Sequence, residues 1–109
     1  MTILLPSPLY AGTSVLTQGT FASPIPGTPP YQWPGVDPGI VTFSFIGGQG
    51  ASEVTWTYGV GLEIARVDTG VYQVLLECDV PGRWQVKWIG TDPVASVWTW
   101  GFDVSPQPF

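Results

Sequence analysis

Apolar and polar side chains alternate with period two along much of this chain, most clearly between positions 68 and 88. Tyr72, Val74, Leu76 and Cys78 alternate with Val71, Gln73, Leu75 and Glu77; beyond Pro81-Gly82, Trp84, Val86 and Trp88 alternate with Arg83, Gln85 and Lys87. Successive side chains of a strand point to opposite faces, so each run predicts a strand with one apolar and one mostly polar face. Leu75 is the one clear break in the polar face. Asp68-Thr69-Gly70 opens the pair and Asp79-Val80-Pro81-Gly82 divides it, and both are turn-forming sequences.

The same reading extends in both directions. Residues 14–22 predict a first strand with Val15, Thr17, Gly19 and Phe21 on one face. Residues 40–46 predict a second, with Val41, Phe43 and Phe45 aligned, ending at the turn Gly47-Gly48-Gln49-Gly50. Residues 52–58 predict a third, with Val54, Trp56 and Tyr58 aligned, and residues 62–67 a short, weaker fourth. Residues 94–104 predict the last, in which Val94, Trp98, Trp100, Phe102 and Val104 share one parity. About seven strands at short spacing, with no helical period, are the pattern of an all-β fold, an immunoglobulin-like β-sandwich of antiparallel strands. A small barrel is the alternative architecture. Phe43, Phe45, Trp56, Tyr72, Trp84, Trp88 and Phe102 all fall at inward parity. Trp84→Ala is expected to cost about 3–5 kcal/mol if the indole is core. Trp98 and Trp100 exceed what one small core holds, so at least one is expected on the surface.

Two stretches leave the pattern. In an N-terminal arm, residues 1–13, Ile3, Leu4, Leu5, Leu9 and Tyr10 are too many large apolar groups for a solvated tail, while Pro6 and Pro8 disfavour a central strand. The arm either packs on its own domain or docks on a neighbouring chain. Residues 23–39 contain six prolines in seventeen positions. Proline fixes φ and removes a backbone donor, so this loop runs as polyproline II and turns. Ile25, Tyr31 and Trp33 are its apolar anchors. It either folds back over the sandwich edge, with Trp33 capping the core, or contacts a neighbouring chain. The domain proper spans residues 14–104, followed by a short tail, residues 105–109.

Charge narrows the functional classes. Net charge is −5, and Arg66, Arg83 and Lys87 are the only bases. Phosphate binding requires clustered Lys and Arg, so neither nucleic acid nor an anionic membrane is an expected partner. Charged residues are 10% of the chain against about 25% in typical soluble domains. So neutral a surface suits a chain that works against other proteins. There is no His, which removes the commonest general base and the commonest metal ligand. Cys78 is alone, which excludes an intrachain disulfide and a cysteine zinc site; its strand position makes it a small core residue, with an interchain disulfide as the alternative. Asp37, Asp68, Asp79 and Asp92 sit beside turn residues and read as turn caps, not as a carboxylate pair or a calcium loop. No enzyme activity, catalytic residue, metal or cofactor is expected. Trp33, Trp98 and Trp100 are the candidates for a sugar-stacking platform; core or subunit interface is the alternative. No run reaches the length of a transmembrane helix, and residues 1–8 lack the basic start of a signal peptide. The expectation is a chain made in the cytoplasm that stays as synthesised.

The runs Asp68-Thr-Gly-Val-Tyr72, Pro81-Gly-Arg-Trp84-Gln-Val-Lys-Trp88-Ile-Gly90-Thr and Gly101-Phe-Asp-Val104 resemble small immunoglobulin-like virion structural proteins of tailed bacteriophages and prophages. Asp37-Pro38, Val41-Thr42-Phe43 and the Gly47–Gly50 turn fit the same layout. The resemblance covers about residues 12 to 104. The Pro-rich stretch from Ser23 to Pro34, together with Trp98 and Trp100, departs from it. It implies a structural role in a virion, as a capsid decoration or cement protein or a head–tail neck protein. Its partners would be major capsid or connector subunits, and self-association is a further expectation. The residues expected to carry partner contact are Ile3, Leu4, Leu5, Leu9, Tyr10, Ile25, Tyr31, Trp33 and Trp98. The alternative is a carbohydrate- or host-surface-binding module displayed on a virion or a cell.

Overall fold

The computed structural model describes residues 2–4, 9–48, 50–92 and 96–106. Strands arise where side chains alternate and stop where Gly, Pro or Asp interrupts them. They are β1 (Thr2–Leu4), β2 (Thr13–Thr20), β3 (Val41–Gly47), β4 (Val54–Thr57), β5 (Ala65–Asp68), β6 (Val71–Cys78), β7 (Gly82–Gly90) and β8 (Ser96–Val104). The described residues hold no α-helix, only a 3-10 turn at Pro30–Gln32. Two antiparallel sheets form, in the orders β1-β2-β6-β5 and β4-β3-β7-β8. β2 to β8 are the seven strands read from the alternation, with β4 and β5 shorter than expected. Ile64, just ahead of β5, is a buried core residue.

The two sheets share one core. β2 contributes Val15 and Thr17, β6 Tyr72, Val74, Leu76 and Cys78, and β7 Trp84, Val86 and Trp88; Phe43 and Phe102 complete the centre from β3 and β8. Aromatic rings pack within and between the layers: Phe43 lies 4.9 Å from its cross-strand neighbour Trp88 between centroids, and Tyr58 meets Tyr72 of the other sheet edge-on at 5.2 Å. Thr17 is polar but fully buried, and its hydroxyl donates to Val74 O on the neighbouring strand at 3.3 Å. Gly19 sits opposite the Trp88 indole. A Cβ there would lie 2.7 Å from Trp88 Cδ2, so only glycine leaves room for the ring.

Of the two fates open to the N-terminal arm, the described part takes the first. β1 pairs antiparallel with β2, Ile3 opposite Thr17. Farther on, Ser105 N donates to Leu9 O and Ala11 N to Ser105 O, both at 2.8 Å, while Gly12 N donates to Cys78 O. The segment around residues 9–12 therefore ties the end of β8 to the end of β6. This corrects the reading of Leu9 as a partner contact: its side chain is buried in the domain's own core. Leu5 lies outside the described residues.

Candidate interaction surfaces

The Pro-rich loop is closed at its neck and braced inside. Ser23 N donates to Pro34 O at 3.0 Å, and Val36 N donates to Phe21 O at 3.1 Å. Within the loop Thr28 N donates to Ile25 O, Gln32 N to Pro29 O, and Trp33 Nε1 to Thr28 O at 3.2 Å. Trp33 is half-buried in this internal network and is not part of the core, so it braces the loop instead of capping the sandwich. Ile25 and Tyr31 point outward, and Tyr31 is 84% exposed. With so many φ angles preset by proline, the loop loses little entropy when something docks on it.

Asp37 anchors this loop to the opposite sheet. Its carboxylate accepts from Arg66 Nη2 at 2.9 Å and Arg66 Nε at 3.2 Å, from Gly70 N at 2.8 Å and from the Tyr72 hydroxyl at 3.0 Å. Gly70 has a φ of 74°, and a Cβ on it would collide with the Phe21 carbonyl oxygen. Glycine thus permits both the turn and the approach of its N–H to the loop. Arg66 and the two further donors hold the Asp37 carboxyl down at about 2, against an ordinary 3.8. Burial, then the Asp37 hydrogen bond, pushes the Tyr72 hydroxyl up to about 12. The expectation of a simple turn cap at Asp37 is corrected: it is a clasp joining loop, β5 and β6. With its oxygens engaged by four donors it has little left to offer a cation. Cys78 is equally committed, because burial, then the Asp79 charge, pushes its thiol up to about 11. A thiol held protonated is a poor nucleophile.

The second surface is the open edge at β8. Trp98 pairs in register with Trp88 and Trp100 with Val86, so both share the inward parity of the buried β7 residues. Both remain about half-exposed, at 41% and 51%, because β8 ends its sheet and the indoles project past the cover that buries Phe102. Val97, on the other face, is exposed too. Tyr10 lies at the far end of the same strand, bridged in parallel to Ser105, with a partly exposed side chain. Trp98 and Tyr10 therefore border one edge, while Ile25 and Tyr31 belong to the loop. Trp100 shares this exposed edge with Trp98; the surplus of tryptophan over core volume was its signal in the sequence.

The third feature is a groove of about 450 Å³ on the outer face of β3, β7 and β8, bordered by Glu53, Arg83, Gln85, Lys87 and Thr99. Gly101 leaves the space in which the Arg83 guanidinium lies. Arg83 reaches Asp103 at 3.3 Å and Lys87 reaches Glu53 at 3.7 Å, so each cation already faces a carboxylate. On the outer face of the first sheet Leu75 is exposed opposite Leu16. No family model, curated protein or solved structure matches the chain.

Proposed function

We propose that this chain is an immunoglobulin-like β-sandwich serving as a non-enzymatic structural component of a bacteriophage virion. Its role is that of a capsid decoration or cement protein, or of a head–tail neck protein. Strand order supports the fold assignment: β1-β2-β6-β5 against β4-β3-β7-β8 corresponds to an A-B-E-D sheet facing a C′-C-F-G sheet. The crossing of residues 9–12 from one sheet end to the other supports it further. Major capsid or connector subunits are the partners, and the virion is the location.

The observation that carries the structural role is the braced Pro-rich loop. A loop held at its neck, clasped by Asp37 and still presenting Tyr31 and Ile25 to solvent is preorganised for a protein surface. Residues 23–36 carry no charge, so docking on them desolvates no ion of that stretch. The test is a phage lysate in which the chain carries Ile25→Ser and Tyr31→Ala, which alter the outward face of the loop and leave the core intact. Purified particles are expected to lose the protein and to release DNA at lower temperature. Undiminished incorporation and unchanged particle stability would refute the role.

One observation favours a second reading, a carbohydrate- or host-surface-binding module. Trp98 and Trp100 stand two residues apart on one side of β8, as a platform for sugar rings would require. That reading expects a saturable change of tryptophan fluorescence on titration with host polysaccharide, abolished by Trp100→Ala. A flat titration excludes it.

A further inference from the structure

The four sheet edges are unequal. β1 has three residues, β4 and β5 have four each, and β5 carries a register irregularity between Arg66 and Asp68. Such short or bulged edges are the usual protection against unwanted strand pairing. β8 has nine residues, and no irregularity interrupts its register with β7. From Ser96 to Phe102 it has no charged residue, no proline and two half-exposed tryptophans. By the rules that protect the other three edges, this one is built to be covered.

The backbone says how. Ser105 spends its N–H and C=O on Leu9 and Ala11, away from β7. Backbone groups alternate sides along a strand, so Asp103, Gly101, Thr99 and Val97 also direct theirs away from β7. Among the described residues no segment bonds to them. The N-terminal segment closes the edge only at Ser105 and the charged Asp103 lies next to that closure, so the neutral part of the uncovered stretch, residues 96–102, is centred on Thr99.

We infer that this edge is the two-fold interface of a homodimer, in which β8 pairs antiparallel with β8 of a second copy about Thr99. In that register Thr99 faces Thr99 of the second copy as a hydrogen-bonded pair. Val97 and Gly101 exchange backbone hydrogen bonds with Gly101 and Val97 across the axis. Trp98 of each copy then stands opposite Trp100 of the other at the closer, non-hydrogen-bonded positions, where cross-strand side chains meet. One register thus pairs the free backbone groups of Val97, Thr99 and Gly101 and covers both exposed indoles. Self-pairing is favoured over a charged partner strand because the stretch is neutral: two copies of a chain with net charge −5 meet here without bringing like charges together. The two β4-β3-β7-β8 sheets become one continuous sheet. This inference does not rest on the virion reading, since it concerns the purified chain alone.

Sedimentation velocity on the purified chain is the first test, with a species at twice the 11.7 kDa chain mass expected at micromolar concentration. Register is tested by charge. Trp98→Lys with Trp100→Lys places cations opposite cations and is expected to give monomer. Trp98→Lys with Trp100→Glu places opposite charges face to face and is expected to restore dimer. Both pairs leave the buried residues intact, and circular dichroism confirms folding. A covalent test is independent of affinity. Hydrogen-bonded antiparallel pairs have Cα atoms about 5.5 Å apart, within disulfide range. Thr99→Cys is expected to cross-link two chains under mild oxidation, whereas Val97→Cys, opposite Gly101, is not; the native Cys78 is buried and does not compete. A monomeric wild-type chain at about 100 μM, where contacts of ordinary strength are populated, overturns the inference. So does equal cross-linking of the two cysteine variants.

Discussion

At the scale of single residues, Asp37 matters more than its place in a Pro-Gly turn suggests. Its carboxyl titrates at about 2 in the folded chain and near 3.8 when unfolded. The unfolded state therefore binds the proton first as pH falls. The clasp contributes fully above about pH 4, and its contribution is lost as pH falls toward 2. Tyr72 has the opposite sign. Its hydroxyl is held up at about 12 against an ordinary 10.0, so its contribution is present below pH 10 and lost as pH rises toward 12. Chemical denaturation across pH is expected to show both limbs. Asp37→Asn should flatten the acid limb, and Tyr72→Phe should shrink the alkaline one to the part left by the Cys78 thiol, which burial holds up at about 11. Tyr72→Phe deletes one hydrogen bond to a part-exposed carboxylate that keeps three other donors, at a cost of about 1 kcal/mol at neutral pH. Loss of more than about 3 kcal/mol would mean that the hydroxyl holds more than this bond.

At the scale of elements, the strands were legible because period-two alternation is a local signal and nearly every core side chain obeys it. Val15, Thr17, Gly19 and Phe21 on one face, and Trp84, Val86 and Trp88 on another, fall inward as read. Sequence could not show what lies across from each face. Trp98 and Trp100 have inward parity, yet β8 ends its sheet and they stay half-exposed. The Asp37 clasp was illegible for a related reason: Arg66, Gly70 and Tyr72 lie 29, 33 and 35 residues away in sequence. Of the expected contact residues, Leu9 went to the core because Ser105 draws its backbone between the sheets. Gly19 is a similar case, a glycine in mid-strand whose purpose is a ring from the other layer. Gly19→Ala is expected to cost about 1–3 kcal/mol by overpacking against Trp88, and Trp88→Ala about 3–5 kcal/mol by leaving a cavity. The double variant should cost less than the sum, since the alanine methyl then has space. Thermal or urea unfolding of the three variants measures this, and strict additivity would show that the two residues do not share the contact.

At the scale of the whole molecule, charge sets the terms on which copies of the chain approach one another. Each carries a net charge of −5, and its three bases are paired with Asp37, Asp103 and Glu53. Long-range repulsion between two copies is therefore the main electrostatic term, because the β8 edge from Ser96 to Phe102 contributes no ion pair of its own. Salt screens such repulsion: the Debye length falls from about 30 Å at 0.01 M to about 3 Å at 1 M. Backbone hydrogen bonds and indole burial at a neutral edge are little affected over the same range. The dimer is thus expected to tighten as salt rises, by several-fold between those limits, and to tighten again in sulfate, which strengthens apolar burial. An interface built on the Arg83–Asp103 or Lys87–Glu53 face would behave the other way, since screening weakens exposed ion pairs. The sign of the salt dependence in sedimentation equilibrium therefore separates an edge-to-edge dimer from one formed through the polar groove, without any mutation.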